Sequence, residues 1–151
     1  MRPLIFWTNL IPRNAFFLTE LHTDEASAFL EFNFAPPTLR RNIGILGLLH
    51  KRVLGKSHPV FEKILPFFVQ IFGELRPGEH NKQLYNHFLE TQYQPQLFRR
   101  SIFGMVHIYN SLPQNVVDCP CVSSFQTALT MIARQRCEDL HPRWQHTFSC
   151  R

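Results

Sequence analysis

The stretch RRNIGILGLLHKRVLG, residues 40–55, decides the fold. At about 100° per residue, Leu39, Ile43, Leu46, Leu49 and Val53 fall on one stripe, and a helix with such a stripe needs a partner to cover it. Arg40, Arg41, Lys51 and Arg52 fall together on the opposite face. Thr38 is placed to cap the helix, and Gly55 to end it at a position where a left-handed backbone suits glycine. His50 shares the apolar stripe and reads as a core histidine with satisfied nitrogens.

Outward from this helix, the prolines divide the chain into helix-sized pieces. Toward the N-terminus, Thr23 reads as an N-cap with Asp24 and Glu25 in the first turn, opening a short helix through Phe32 that Pro36-Pro37 stops. Toward the C-terminus, a helix of one or two turns (FEKIL) follows Pro59, and residues 73–82 (GELRPGEHNK) read as a loop. A short element from Gln83 to Glu90 comes next. The spacing Phe98, Ile102, Met105, Val106, Tyr109, Leu112 is helical up to Pro113, although Ile102, Val106 and Ile108 also fit a short strand. Ser123 or Ser124 caps a last helix with Phe125, Ala128, Leu129, Ile132 and Ala133 on one face and Arg134 pointing away. The expected fold is mainly α: a small irregular helical domain of about five short helices joined by Pro-rich turns. Residues 1–22 form a lead-in and 23–151 a single domain.

Composition agrees. The 151 residues are 44% hydrophobic and 18% charged, which suits one globular domain and excludes wholesale disorder. Fifteen phenylalanines predict large aromatic packing units. Four cysteines are too few for a disulfide scaffold, and no Asn-x-Ser/Thr sequon occurs. The apolar stretch Leu4–Trp7 is too short for a signal-peptide core, and Ile64–Phe72 falls far short of the roughly 20 residues that span a bilayer. An intracellular chain, in nucleus or cytoplasm and without a membrane partner, is expected.

Charge is uneven, and its distribution says more than the net +5. Within residues 40–56, Arg40, Arg41, Lys51, Arg52 and Lys56 stand against no acid, whereas residues 1–39 set four acids against two arginines. Four cations over four helical turns suit a phosphate backbone, and Arg99, Arg100, Arg134 and Arg136 extend the patch. The plainer reading of such a face is solvation alone.

Catalytic arrangements are missing from the sequence. The adjacent acids Asp24-Glu25 and Glu138-Asp139 sit at helix ends and make a poor two-metal site. Gly44 and Gly47 lie inside a helix, where they admit a close neighbour and cradle no phosphate. Ser57-His58 has no acid partner for a triad. No catalytic residue and no cofactor is assigned. Cys137, His141, His146 and Cys150 offer a C-x3-H-x4-H-x3-C set for structural zinc, and Cys119 and Cys121 a Cys-x-Cys. The knuckle spacing C-x2-C is missing, so free, partly buried thiols are the default.

Two blocks carry a family resemblance. FLEFNFAPPTLRRNIGILGLLHKRVLGKSHPVFEKILPFF, residues 29–68, resembles the segment after the polymerase core in non-LTR (LINE-type, jockey-like) retrotransposon reverse transcriptases. SIFGMVHIYNSLPQNVVDCPCVSSFQTALTMIARQRC, residues 101–137, resembles their C-terminal pattern of an aromatic-Asn-x-Leu-Pro, a Val-Val, a Ser-x-x-Phe and a closing helix. The resemblance implies a helical thumb and C-terminal extension that holds template and primer. The family's Tyr/Phe-x-Asp-Asp box does not occur in the sequence. The implied function is a non-catalytic C-terminal fragment of an RNA-directed DNA polymerase. Its partners would be RNA or an RNA–DNA hybrid and the missing polymerase domain of the parent polyprotein, with Arg40, Arg41, Lys51, Arg52, Arg99 and Arg100 on the backbone. The alternatives are a helical interaction or structural module without a nucleic-acid role, or a decayed open reading frame.

Overall fold

The computed structural model describes residues 24–87, 98 and 100–149. The lead-in 1–22, Thr23, most of the end of the Gln83–Glu90 element, Arg99 and Cys150 lie outside them. The fold is mainly α. In chain order the helices are α1 (Glu25–Phe32), α2 (Pro37–Val53), α3 (Val60–Ile64), α4 (Phe68–Phe72), α5 (Val106–Asn110), α6 (Gln114–Val117) and α7 (Val122–Glu138), followed by a 3-10 turn at Trp144–His146. Two of these helices run to 17 residues, so the expectation of five short helices gives way to one long pair with short satellites.

The prolines start helices more often than they stop them. Pro36 is the N-cap of α2 and Pro37 its first residue, so Thr38 sits inside the helix rather than capping it. The ring presets φ for a helix, and the N–H it lacks would have had no partner in the first turn. Pro59 and Pro113 stand at the same position before α3 and α6. α1 ends instead at Asn33, in the left-handed conformation at φ 58°. Its N-cap is Asp24, whose carboxylate accepts the Ser27 N–H at 2.7 Å, where the sequence suggested Thr23. That bond holds the Asp24 carboxyl below its ordinary range.

α2 closes as expected at Gly55, φ 68°, where the Lys56 N–H reaches the Lys51 carbonyl and the Gly55 N–H the Arg52 carbonyl, both at 3.0 Å. This paired closure satisfies two of the last carbonyls of the helix. α7 begins one turn earlier than Ser124. Cys121 caps it, its sulfur accepting the Ser124 N–H while the Ser124 hydroxyl donates back to the Cys121 carbonyl at 2.9 Å.

α2 packs on α7, and this pair organises the core. Leu39, Leu46 and Leu49 meet Phe125, Leu129, Ala133 and Cys137 within one apolar cluster, and all are buried. Gly47 sits where a Cβ would fall 2.5 Å from the Gln126 amide nitrogen, so the missing side chain lets α7 approach; Gly44 has open space around it. At the other end Phe29 of α1 stacks on Trp144, centroids 5.3 Å apart. Arg134 does not point away: its guanidinium donates to the Leu30 carbonyl at 2.6 Å and lies 5.9 Å from the Phe29 ring centre, tying α7 to α1.

A second region, residues 66–86 with 103–118, is built differently. Its backbone pairing amounts to one antiparallel bridge, Phe67 with Leu84. Side-chain amides supply the rest. Asn110 donates to the Leu84 carbonyl at 2.9 Å and accepts the Leu84 N–H at 3.0 Å, so one amide occupies both backbone groups as a neighbouring strand would. Gln83 does the same to Arg76, with both bonds at 3.0 Å. Asn86 donates to the Phe103 carbonyl at 2.8 Å. That bond engages a carbonyl in the segment expected to be helical from Phe98. Phe98 is helical, residues 100–105 form turns and a bend, and helix resumes at Val106.

Tyr109 sits at the junction of the two regions, fully buried. The Tyr109 carbonyl accepts from His80 Nε2 at 2.9 Å, and His80 Nδ1 accepts the Lys82 N–H. On the other side His50 Nε2 lies 2.9 Å from the Cys119 carbonyl, which makes it the protonated nitrogen, and His50 Nδ1 then accepts the Tyr109 hydroxyl proton at 3.1 Å. The His50 ring also stacks on Phe125 at 4.1 Å. Both imidazoles are therefore held neutral, with burial the main force lowering their proton affinity. The expected core histidine at position 50 is found as such.

Candidate nucleic-acid interface

Helix α2 carries no acidic residue, so its cations have no ion-pair partner along their own helix. Arg40, Arg41 and Lys51 are exposed, and among the described residues no ion pair engages them. Arg40 and Lys51 are about 16 Å apart along the axis, at 1.5 Å per residue.

Arg52 leaves the set. Only 5% of it is exposed; its Nε donates to the Leu65 carbonyl at 3.1 Å and its guanidinium lies 4.8 Å from the Phe67 ring centre. The helical wheel explains this. Arg52 lies about 60° round from Leu49, on the margin of the buried stripe. The chain returns along that margin after Gly55, and its Leu65–Phe67 segment covers the arginine. Arg41 lies on the same side of the wheel, but three turns earlier, where the returning chain does not reach. An arginine that fastens a backbone carbonyl is a structural anchor.

Arg100 is exposed and lines, together with Arg41, Thr38, Asn42, His146 and Ser149, a cleft of about 290 Å³. The sequence named both arginines without showing that they share a cleft; His146 and Ser149 join from the far end of the chain. Asn42 sets the geometry. It is buried at 3% exposure, donates to the Phe148 carbonyl at 3.0 Å and to Ser149 Oγ at 3.2 Å, and receives Arg41 through Nε and Nη2 at 3.3 and 3.2 Å. On the helical wheel Asn42 falls inside the apolar stripe, between Leu49 and Val53, and a polar residue at such a position is the one signal the sequence offered for it. Of the other expected contributors, Arg136 is exposed on α7, while Arg134 is committed to α1 and Arg99 lies outside the described residues.

The metal candidates do not converge among the described residues. Cys137 is buried in the core, where burial pushes its thiol above the ordinary range, whereas His141 and His146 are exposed. Among the described residues no three His, Cys, Asp or Glu side chains gather as a metal would require. Cys119 is half-buried, and Cys121 is engaged with Ser124, whose hydrogen bonds lower its thiol. The one ion pair among the described residues is Lys82 with Asp118 at 2.9 Å, reinforced by Lys82 donating to the Val117 carbonyl at 2.8 Å. It holds the Asp118 carboxyl below its ordinary range. No helix among the described residues is long and apolar enough to cross a membrane.

Fold and site together define a mainly helical domain whose central helix buries one face and presents a cationic side, with a two-arginine cleft at its N-terminal end. Compared with protein-family models, with curated proteins and with solved structures, the chain matches none.

Proposed function

We propose that this chain binds the phosphate backbone of RNA or of an RNA–DNA hybrid without catalysing a reaction on it, as the C-terminal piece of a non-LTR reverse transcriptase downstream of the polymerase core. The observation that carries the reading is the exposed, acid-free cationic side of α2, with Arg40, Arg41 and Lys51 over three turns and Arg100 sharing a cleft with Arg41. Several phosphates fit along that length, given about 3.4 Å of rise per phosphate on one strand. The resemblance over residues 29–68 and 101–137 supplies the class of polymer, and α2 falls inside its first block.

The test is anisotropy binding to a labelled RNA strand and to its DNA hybrid. With three or four phosphate contacts, raising salt from 50 to 200 mM weakens binding roughly 20- to 50-fold for the single strand and roughly 40- to 150-fold for the duplex hybrid. The triple variant Arg40→Glu, Arg41→Glu, Lys51→Glu abolishes it. Unchanged affinity in a folded triple variant overturns the reading. Arg52 is left out of the test because reversing a buried charge would unfold the helix end.

A second reading has its own observation. Val60, Val69, Ile71, Phe72 and Leu75 are each at least 40% exposed within sixteen residues. An apolar stretch this dense favours an interaction module that packs on another protein surface. Under that reading the isolated chain self-associates in sedimentation velocity, and a clean monomer counts against it.

A further inference from the structure

The cleft between Arg41 and Arg100 has the properties of an anion site. Two guanidinium groups border it, and among the described residues no carboxylate lines it. Arg41 is not a floating surface charge: two of its N–H groups are held by the buried Asn42 carbonyl oxygen, which orients the guanidinium and leaves its remaining N–H groups for a ligand. Asn42 also donates to Ser149 Oγ, which turns the serine lone pair inward and leaves the hydroxyl proton as a donor. Thr38 contributes a second hydroxyl and His146 an imidazole. A buried amide that fixes a cation and a hydroxyl on one cavity wall is preorganisation, and arginine pairs with free N–H groups suit the oxygens of phosphate better than those of a monovalent halide.

We propose that this cleft is a binding site for a phosphate group, with Arg41 and Arg100 as its charges and Thr38, Ser149 and His146 as further donors. The proposal deepens the nucleic-acid reading by naming where one phosphate sits, and it rests on that reading only for the natural source of the group. The shared chemistry is a phosphate oxyanion, whether at a strand terminus, within a strand, or free.

The experiment uses the full chain and three probes: inorganic phosphate, and one oligoribonucleotide with either a 5′-phosphate or a 5′-hydroxyl. Amide chemical shifts are followed by NMR and affinities by calorimetry. Inorganic phosphate should shift Thr38, Asn42 and Ser149, and the double variant Arg41→Gln, Arg100→Gln should bind it at least tenfold more weakly. The control variant Arg40→Gln, Lys51→Gln should keep phosphate affinity while weakening the oligonucleotide. A tighter complex with the 5′-phosphorylated strand assigns the site to a terminus, and equal affinities assign it to the internal backbone. Phosphate binding without oligonucleotide binding leaves the cleft standing and removes the nucleic-acid reading. No phosphate-induced shift at the three cleft residues, or shifts and affinity indifferent to the double variant, overturns the site.

Discussion

The α2–α7 pair and the region formed by residues 66–86 and 103–118 share one apolar cluster but satisfy their backbones in different ways. In the first, Leu39, Leu46 and Leu49 meet Phe125 and Leu129, and stability follows the apolar area removed from water. Such a core tolerates exchange among side chains of similar volume. In the second, single amides from Asn110, Gln83 and Asn86 occupy backbone groups that would otherwise pair in a sheet. No neighbouring residue type repeats that geometry, so the second region, which joins the apolar cluster through Leu84, Val106, Leu112, Val116 and Val117, depends in addition on a few side chains that cannot be exchanged. The motif Tyr109-Asn110-Ser111-Leu112-Pro113 belongs to the second kind. Tyr109 contacts both buried histidines, Asn110 clamps Leu84, and Pro113 caps α6.

The contrast is open to measurement. The largest effect is expected in the helix pair, where Leu46→Ala opens a cavity at a fully buried position and costs about 3–5 kcal/mol in urea unfolding. Leu46→Met, of similar volume, should cost less than about 1.5 kcal/mol. In the other region Asn110→Ala strands two buried backbone groups and costs about 2–4 kcal/mol. Should Asn110→Ala cost no more than a surface substitution, the amides are ornamental and the comparison collapses.

Acidification probes the junction between the regions. His50 and His80 are buried and held neutral, so their folded-state proton affinities lie below the ordinary histidine value of 6.5. The unfolded chain then binds more protons than the folded one just below that value, and stability falls as pH drops. The contribution is intact above about pH 6.5 and is lost down through the folded-state pKa values. The lowered carboxyls of Asp24 and Asp118 act only at still lower pH, below the ordinary carboxylate value of 3.8. Urea midpoints measured from pH 7.5 to 5 should therefore decline, and a flat profile breaks the assignment of two neutral imidazoles.

The smallest effect sharpens the account of α2. Gly44 has no atom within 4 Å of a would-be Cβ, so Gly44→Ala should stabilise by about 0.5–1 kcal/mol from helix propensity alone. Gly47→Ala should gain less, because its Cβ displaces the Gln126 amide.

Sequence periodicity determined the mainly helical fold, the α2 stripe, its Gly55 stop, the inward face of α7 and the place of His50 in the core. These rest on spacing within one helix, and an angle of about 100° per residue is a local property. The start of each helix was legible only to within a turn, since proline at the first position and the sulfur of Cys121 compete with Thr38 and Ser124 for the same role. Tertiary structure alone decided the rest. Arg41 and Arg52 are equivalent on the helical wheel, yet the returning chain buries one and leaves the other in a cleft with Arg100, Ser149 and His146. The amide staples are equally invisible, because Asn110 meets Leu84 across 26 residues and Asn42 meets Phe148 across 106. A hydrogen bond over such a separation leaves no periodic trace, whereas the stripe Leu39, Ile43, Leu46, Leu49, Val53, spaced three or four residues apart, does.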